Sequence, residues 1–216
     1  MSAQYQDRAS AGKVLGEKLL AFALTEVPLI LAIPNGGLAV AGPIAEMLGC
    51  DLDLLIVRKL QIPYNPEAGF GALTSLGTVI LNETLVSRIG LSKADIEQVI
   101  QRTREQIEKR KSAFKSLTGR YSPERRIVVL VDDGLASGYT MLAAVESVRQ
   151  LRPQKIIVAV PTASSSAVSK VQEVVDELIC PHIGWGYVFA VADAYQNWYD
   201  VPDREVIEML KNMGRK

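Results

Sequence analysis

Short, wholly apolar runs alternate along the chain with stretches of helical spacing. Val27-Pro28-Leu29-Ile30-Leu31-Ala32-Ile33 is apolar at consecutive positions, the pattern of a strand covered on both faces. Pro34-Asn35-Gly36-Gly37 interrupts it, and Leu38 to Leu48 then follows helical periodicity. Leu52 to Val57 predicts a second buried strand. Ile127-Val128-Val129-Leu130-Val131 is the clearest strand, followed by a turn and a helix over Thr140 to Leu151. Lys155 to Val160 predicts a further strand and Ser164 to Val175 a further helix, with Ser164-Ser165-Ser166 where an N-cap belongs. Alternation of this kind predicts an α/β fold with a mainly parallel sheet flanked by helices.

Two regions break the alternation. Residues 59–77, rich in Gly, Pro and Asn, predict a long loop with some extended structure. Residues 92–117 predict a charged helix with one buried stripe of Ile96, Val99, Ile100, Ile107 and Phe114. Basic side chains outnumber acidic ones from Lys93 to Arg126, and acidic ones dominate from Glu173 to Glu208. Solvated faces account for this asymmetry most simply; a basic wall beside an anionic ligand is the sharper reading.

Composition narrows the class. At 216 residues, with 24 basic and 24 acidic side chains, the chain fits one domain with a sizeable core. Zero net charge argues against a nucleic-acid coat protein. Two cysteines, Cys50 and Cys180, exclude a four-thiolate zinc site, and one histidine, His182, excludes any site needing two imidazoles. Met1 to Ser10 is polar, unlike a signal peptide, and no apolar run approaches the ~20 residues of a membrane span. The expectation is a soluble, cytoplasmic protein with neither nucleic acid nor membrane as partner.

Chemistry concentrates in Val128-Val129-Leu130-Val131-Asp132-Asp133-Gly134-Leu135-Ala136-Ser137-Gly138-Tyr139-Thr140. A buried parallel strand here ends in two carboxylates at the sheet edge where open α/β folds bind ligands. Glycines and small residues then permit close backbone approach, and Ser137 and Thr140 add hydroxyl donors where a helix starts, a ready phosphate site. One segment can therefore hold a phosphate at one end and hydroxyls or a metal at the other, which suits a sugar phosphate. Other phosphate loops do not fit: three residues separate Gly134 from Gly138 and Tyr139 follows, unlike a Walker loop. No GxGxxG and no GxSxG elbow occurs.

The segment resembles the 5-phosphoribosyl 1-pyrophosphate (PRPP) signature of type I phosphoribosyltransferases, with both acids, the glycine and both hydroxyl residues in register after the strand. Further features resemble an uncharacterised branch of that family: Asp7-Arg8-Ala9-Ser10-Ala11-Gly12, Arg58-Lys59-Leu60 with Asn65-Pro66-Glu67 and Gly71-Ala72, and Asp203-x-Glu205-Val206. The resemblance implies a single domain over 1–216, with a helical insertion at about 82–120 and a hood built from the N-terminal helix and about 181–216. It implies transfer of the phosphoribosyl group from PRPP to a nitrogenous base, with release of pyrophosphate and Mg²⁺ as cofactor, in a homodimer. Asp132 and Asp133 would bind the ribose hydroxyls, with the metal nearby. Gly134, Leu135, Ala136, Ser137, Gly138, Tyr139 and Thr140 would form the PRPP-binding turn, with the 5-phosphate on Ala136 to Thr140. Pro34, Asn35, Gly36 and Gly37 would be the pyrophosphate loop, Arg58 and Lys59 its catalytic cations, and a lid would lie in 60–71. Two departures stand out. The branch commonly reads Pro-Arg-Gly-Gly where this chain has Asn35, and Ala136 replaces the loop acid of hypoxanthine-guanine-type enzymes. A PRPP- or nucleotide-sensing regulator on the same scaffold is therefore the second reading.

Other residues have balanced expectations. Arg8 is expected to cap or pair rather than reach a phosphate. Tyr187, Phe189, Tyr195, Trp198 and Tyr199 suit base stacking or core and dimer packing equally well. Cys50 and Cys180 are expected to be inert, His182 a loop residue, and Glu67 a weak acid/base candidate.

Overall fold

In the computed structural model, residues 3–22, 24–186 and 189–213 are described, Pro66 and Glu67 by their backbone only. Five parallel strands form the central sheet: β1 (Leu29–Ala32), β2 (Asp51–Leu54), β6 (Ile127–Val131), β7 (Lys155–Ala159) and β9 (Glu177–Ile179), in the order β2-β1-β6-β7-β9. β6 is flanked on both sides and fully buried, as its unbroken apolar run requires. Its side chains alternate between two cores. Ile127, Val129 and Val131 face one side, whereas Val128 and Leu130 face the other.

Helices α1 (Arg8–Ala21), α2 (Gly36–Leu48) and α7 (Asp203–Met213) cover the first face, and α5 (Tyr139–Arg149) and α6 (Ser165–Gln172) the second. Asp7 and Ser10 form a capping box that fixes the start of α1, so Arg8 opens that helix. Ser164 caps α6 through Ala167 N–H, as its sequence position predicts. The charged helix is α4 (Lys93–Phe114), preceded by the short α3 (Glu83–Ile89). Ile107 and Phe114 are buried, and Ile96, Val99 and Ile100 are partly buried against the core.

Three expectations are corrected. Residues 59–77 are not a long loop: β3 (Val57–Ile62), β4 (Asn65–Thr74) and β5 (Val79–Leu81) make a three-stranded antiparallel sheet in that order. Its apolar side chains Leu60, Ile62, Phe70 and Leu73 supply core burial that the Gly and Pro content conceals. The run Leu52 to Val57 is likewise two strands, because β2 ends at Leu54 and β3 turns away into the second sheet. A parallel pair of β8 (Thr162–Ser164) and β10 (His182–Gly184) completes the molecule, which makes His182 a strand residue rather than a loop residue. No helix among the described residues is long and apolar enough to cross a membrane.

Candidate functional site

The turn leaving β6 lies at the carboxyl edge of the central sheet and is pinned from one side. Leu135 N–H donates to Thr162 O at 3.0 Å, and Ser164 N–H donates to Leu135 O at 2.9 Å. Ser164 Oγ donates to Ala136 O at 2.6 Å, and Lys170 Nζ to Ser137 O at 3.2 Å. The carbonyls of three consecutive loop residues are thus held by β8 and α6. Gly138 takes φ 84°, a left-handed geometry that leads into α5, and no side chain caps that helix. The first amides of α5 have no intrahelical acceptor and lie at the positive end of its dipole, next to the exposed Ser137.

The acid pair sits on the opposite side of the turn. Asp133 N–H donates to Asp132 Oδ1 at 2.8 Å, which ties the Asp132 carboxyl to the backbone of its neighbour. Arg8 Nε donates to Asp133 Oδ2 at 2.9 Å and Arg8 Nη1 to the Tyr199 carbonyl at 2.9 Å. The guanidinium lies 4.0 Å from the Trp198 ring centroid, with Tyr195 and Tyr199 further out, and Arg8 is only 5% exposed. Tyr195 OH donates to Asp133 O at 2.6 Å. Burial, followed by the negative charge of Asp133, raises the Asp132 carboxyl well above the usual carboxylate range, with Arg8 pulling the other way.

The turn after β1 rests directly on these acids. A Cβ on Gly36 would stand 1.8 Å from Asp133 Oδ2, and one on Gly37 would stand 2.7 Å from the Val131 carbonyl. Only glycine permits that approach. Asn35 is held from the far side: its Nδ2 donates to Val201 O at 2.6 Å and to Asp203 Oδ1 at 3.0 Å. Arg110 of α4 donates through Nη2 to Asn35 Oδ1 at 2.6 Å and to Asp203 Oδ1 at 2.5 Å. Arg58 of β3 joins this group electrostatically. Burial and then the Arg110 cation lower its guanidinium, while Asp203 raises it. The Arg110 hydrogen bond holds the Asp203 carboxyl below its usual range.

The fold therefore brings together the acid pair, the turn over residues 134–140, the loop over 34–37 and Arg58. Lys59 projects from the opposite face of β3, with its stem over Gly69. The segment 60–71 is an antiparallel hairpin with Tyr64 exposed at its tip. Arg8 pairs, as expected, but with a site carboxylate. Of the aromatic cluster, Tyr195, Trp198 and Tyr199 surround Arg8 and Phe189 packs against Gly184, while Tyr187 lies outside the described residues, as does the Glu67 side chain. Cys50 and Cys180 are half-buried thiols pushed up to about 11, mainly by burial, which leaves little thiolate. His182 Nδ1 is 2.9 Å from Thr162 Oγ1, a structural contact within the β8–β10 pair. Sequence reasoning missed Arg110, for which the only signal was the basic surplus of its helix.

Among the described residues no group of three or more His, Cys, Asp or Glu side chains converges on a metal position. Two adjacent carboxylates beside the turn into α5 would suit Mg²⁺, which commonly takes one or two carboxylates and completes its shell with water and substrate phosphate.

Comparison with known proteins agrees with this geometry. Residues 9–194 match the model of the phosphoribosyl transferase domain. A putative phosphoribosyl transferase of Mycobacterium tuberculosis is 33% identical over 211 residues, covering 98% of this chain. The chain spans about half the length of that relative, 47% of it. A crystal structure of a Thermus thermophilus protein, 33% identical, superposes with a TM-score of 0.79 over 97% of this chain and 98% of that one. The APRTase of Giardia lamblia, solved with 9-deazaadenine, shares the fold at 15% identity and a TM-score of 0.50, covering 81% of this chain and 80% of its own. By the extent of the family match, the chain belongs to the phosphoribosyl transferase domain family.

Proposed function

We propose that the protein transfers the 5-phosphoribosyl group from PRPP to a nitrogenous base and releases pyrophosphate. PRPP carries anionic groups at both ends of a ribose, so its site needs an anion cradle, a set of hydroxyl acceptors and a second anion cradle in that order. The observation that supports this reading most directly is the seating of the Asn35–Gly37 turn on Asp132 and Asp133, which themselves open the turn into α5. On this reading the 5-phosphate lies on Ala136 to Thr140, the ribose hydroxyls on the acid pair and the pyrophosphate on Pro34 to Gly37, with Arg58 as its cation and Lys59 on the other face of β3. Arg8 orients Asp133, and the hairpin over 60–71 excludes water, which otherwise competes for the ribose C1. The reacting centre is oxocarbenium-like, so the protein's work is positioning and charge stabilisation rather than covalent attack. Asp132 and Asp133 would hold Mg²⁺, whose chemistry there would be to neutralise charge on the leaving group. A cytoplasmic homodimer, with a hood formed by α1 and the segment from 181 onward, completes the proposal.

Commitment of the Asn35 carboxamide to Val201, Asp203 and Arg110 favours one second reading, a PRPP- or nucleotide-binding regulator without turnover. Isotope-labelled PRPP incubated with Mg²⁺ and a panel of bases separates the two. Pyrophosphate release that depends on one acceptor is the expected result; saturable binding with no release for any base would establish the regulator instead.

A further inference from the structure

The aromatic segment over 195–199 is built around the site cation. The Arg8 guanidinium lies over the Trp198 ring, 4.0 Å from its centroid. The buried Tyr195 ring is 5.5 Å from that of Trp198 and tilted by 41°. Tyr199 accepts from Arg8 Nη1 through its carbonyl, and its hydroxyl donates to Glu205 Oε1 at 2.6 Å. The same segment is zipped to the chain just before Arg8. Gln4 and Tyr5 N–H both donate to Ala194 O, at 3.0 and 2.9 Å, and Gln196 and Asn197 N–H donate to Tyr5 O and Gln6 O at 2.8 Å each. With the capping box that starts α1, these bonds hold the guanidinium and its aromatic wall as one unit. That unit grips Asp133 twice, by Arg8 Nε at the carboxylate and by Tyr195 OH at the backbone carbonyl.

Arginine has many rotamers, and it keeps one of them only where its surroundings restrict it. A ring face over a desolvated guanidinium does so while attracting the cation. Arg8 is the one cation bonded to the Asp133 carboxylate among the described residues, so whatever fixes Arg8 fixes that carboxylate. We propose that Trp198 is a positioning residue: it fixes Arg8, and through Arg8 the Asp133 carboxylate that receives the ribose, and it does not stack on the acceptor base. The inference rests on the phosphoribosyl reading for the identity of the ligand. It goes beyond that reading by giving the C-terminal aromatic segment a part in sugar binding.

Ribose 5-phosphate carries no base and pyrophosphate no sugar, so calorimetric titration of the full chain with each, in the presence of Mg²⁺, separates the roles. Trp198→Ala should weaken ribose 5-phosphate by about tenfold, the scale of a desolvated cation–π contact, and leave pyrophosphate within about twofold. Trp198→Phe keeps a ring over the guanidinium and should recover most of the loss. Arg8→Gln should show the same split, and adding Trp198→Ala to it should cost less than about twofold more, because the two side chains act as one unit. Unchanged ribose 5-phosphate affinity in Trp198→Ala, which base stacking requires, would overturn the proposal. An equal loss for both ligands, or full additivity with Arg8→Gln, would overturn it too. If the wild-type protein binds neither PRPP nor ribose 5-phosphate, the phosphoribosyl reading falls, and fluorescence then decides the positioning role. Trp185→Phe removes the only other tryptophan, and in that background Asp133→Asn, which frees Arg8, should shift the Trp198 emission. An unmoved spectrum would remove the coupling from Trp198 to Asp133.

Discussion

Asp132 carries the sharpest consequence at the scale of single residues. Its carboxyl is raised in the folded protein by burial and by Asp133, so below about pH 4, where an ordinary aspartate is protonated in either state, it costs nothing. As pH rises, the unfolded chain ionises first and stability declines until the folded-state value is passed. Asp132→Asn removes that slope. Chemical denaturation from pH 4 to 8 should show the variant gaining on wild type as pH rises, by about 1.4 kcal/mol for each pH unit that separates ionisation in the two states. A constant difference across the range would show that Asp132 ionises normally. The acid pair was legible in the sequence because it directly follows a strand that can only be central. Arg8 was only partly legible, because its partner Asp133 lies 125 positions away, and Arg110 was not, because its partner Asn35 lies 75 positions away. No local pattern announces which of many surface cations will be folded onto a site.

Elements were readable where the apolar pattern was unbroken. β6 begins and ends where its five apolar residues do, and β1, β7 and α5 differ from expectation only at their ends. The hairpin β3–β4 was not readable, since β4 carries glycines where backbones crowd: a Cβ on Gly71 would stand 2.3 Å from the Ile80 carbonyl of the neighbouring β5. Register shifts near Gln61 break the period-two signal as well. α4 depends on few anchors for its length. Phe114 is fully buried at its end, one turn beyond Arg110, and Phe114→Ala should cost about 3–5 kcal/mol in denaturant unfolding. A loss below about 1 kcal/mol would mean that α4 is held mainly by its polar contacts.

For the whole molecule, ligand binding and stability are one quantity. PRPP with Mg²⁺ at a hundred times its Kd should stabilise the fold by about 2.7 kcal/mol, read as a rise in Tm. The double substitution Asp132→Asn with Asp133→Asn should abolish that rise while the protein stays folded; a full rise in the double variant would remove the acids from the site. The architecture was legible as a class, because strands and helices alternate. The convergence of α1, α4 and α7 on two short turns was not, since it is decided by packing on the sheet faces.

The bonds from Arg8 to Asp133 and to Tyr199 join positions 125 and 191 residues apart. During synthesis on the ribosome, every strand of the central sheet has been made before Tyr199 is added. A growing chain can thus pair its central sheet while both the pocket and the face that α7 covers are still open, and ligand will select chains extended beyond Tyr199.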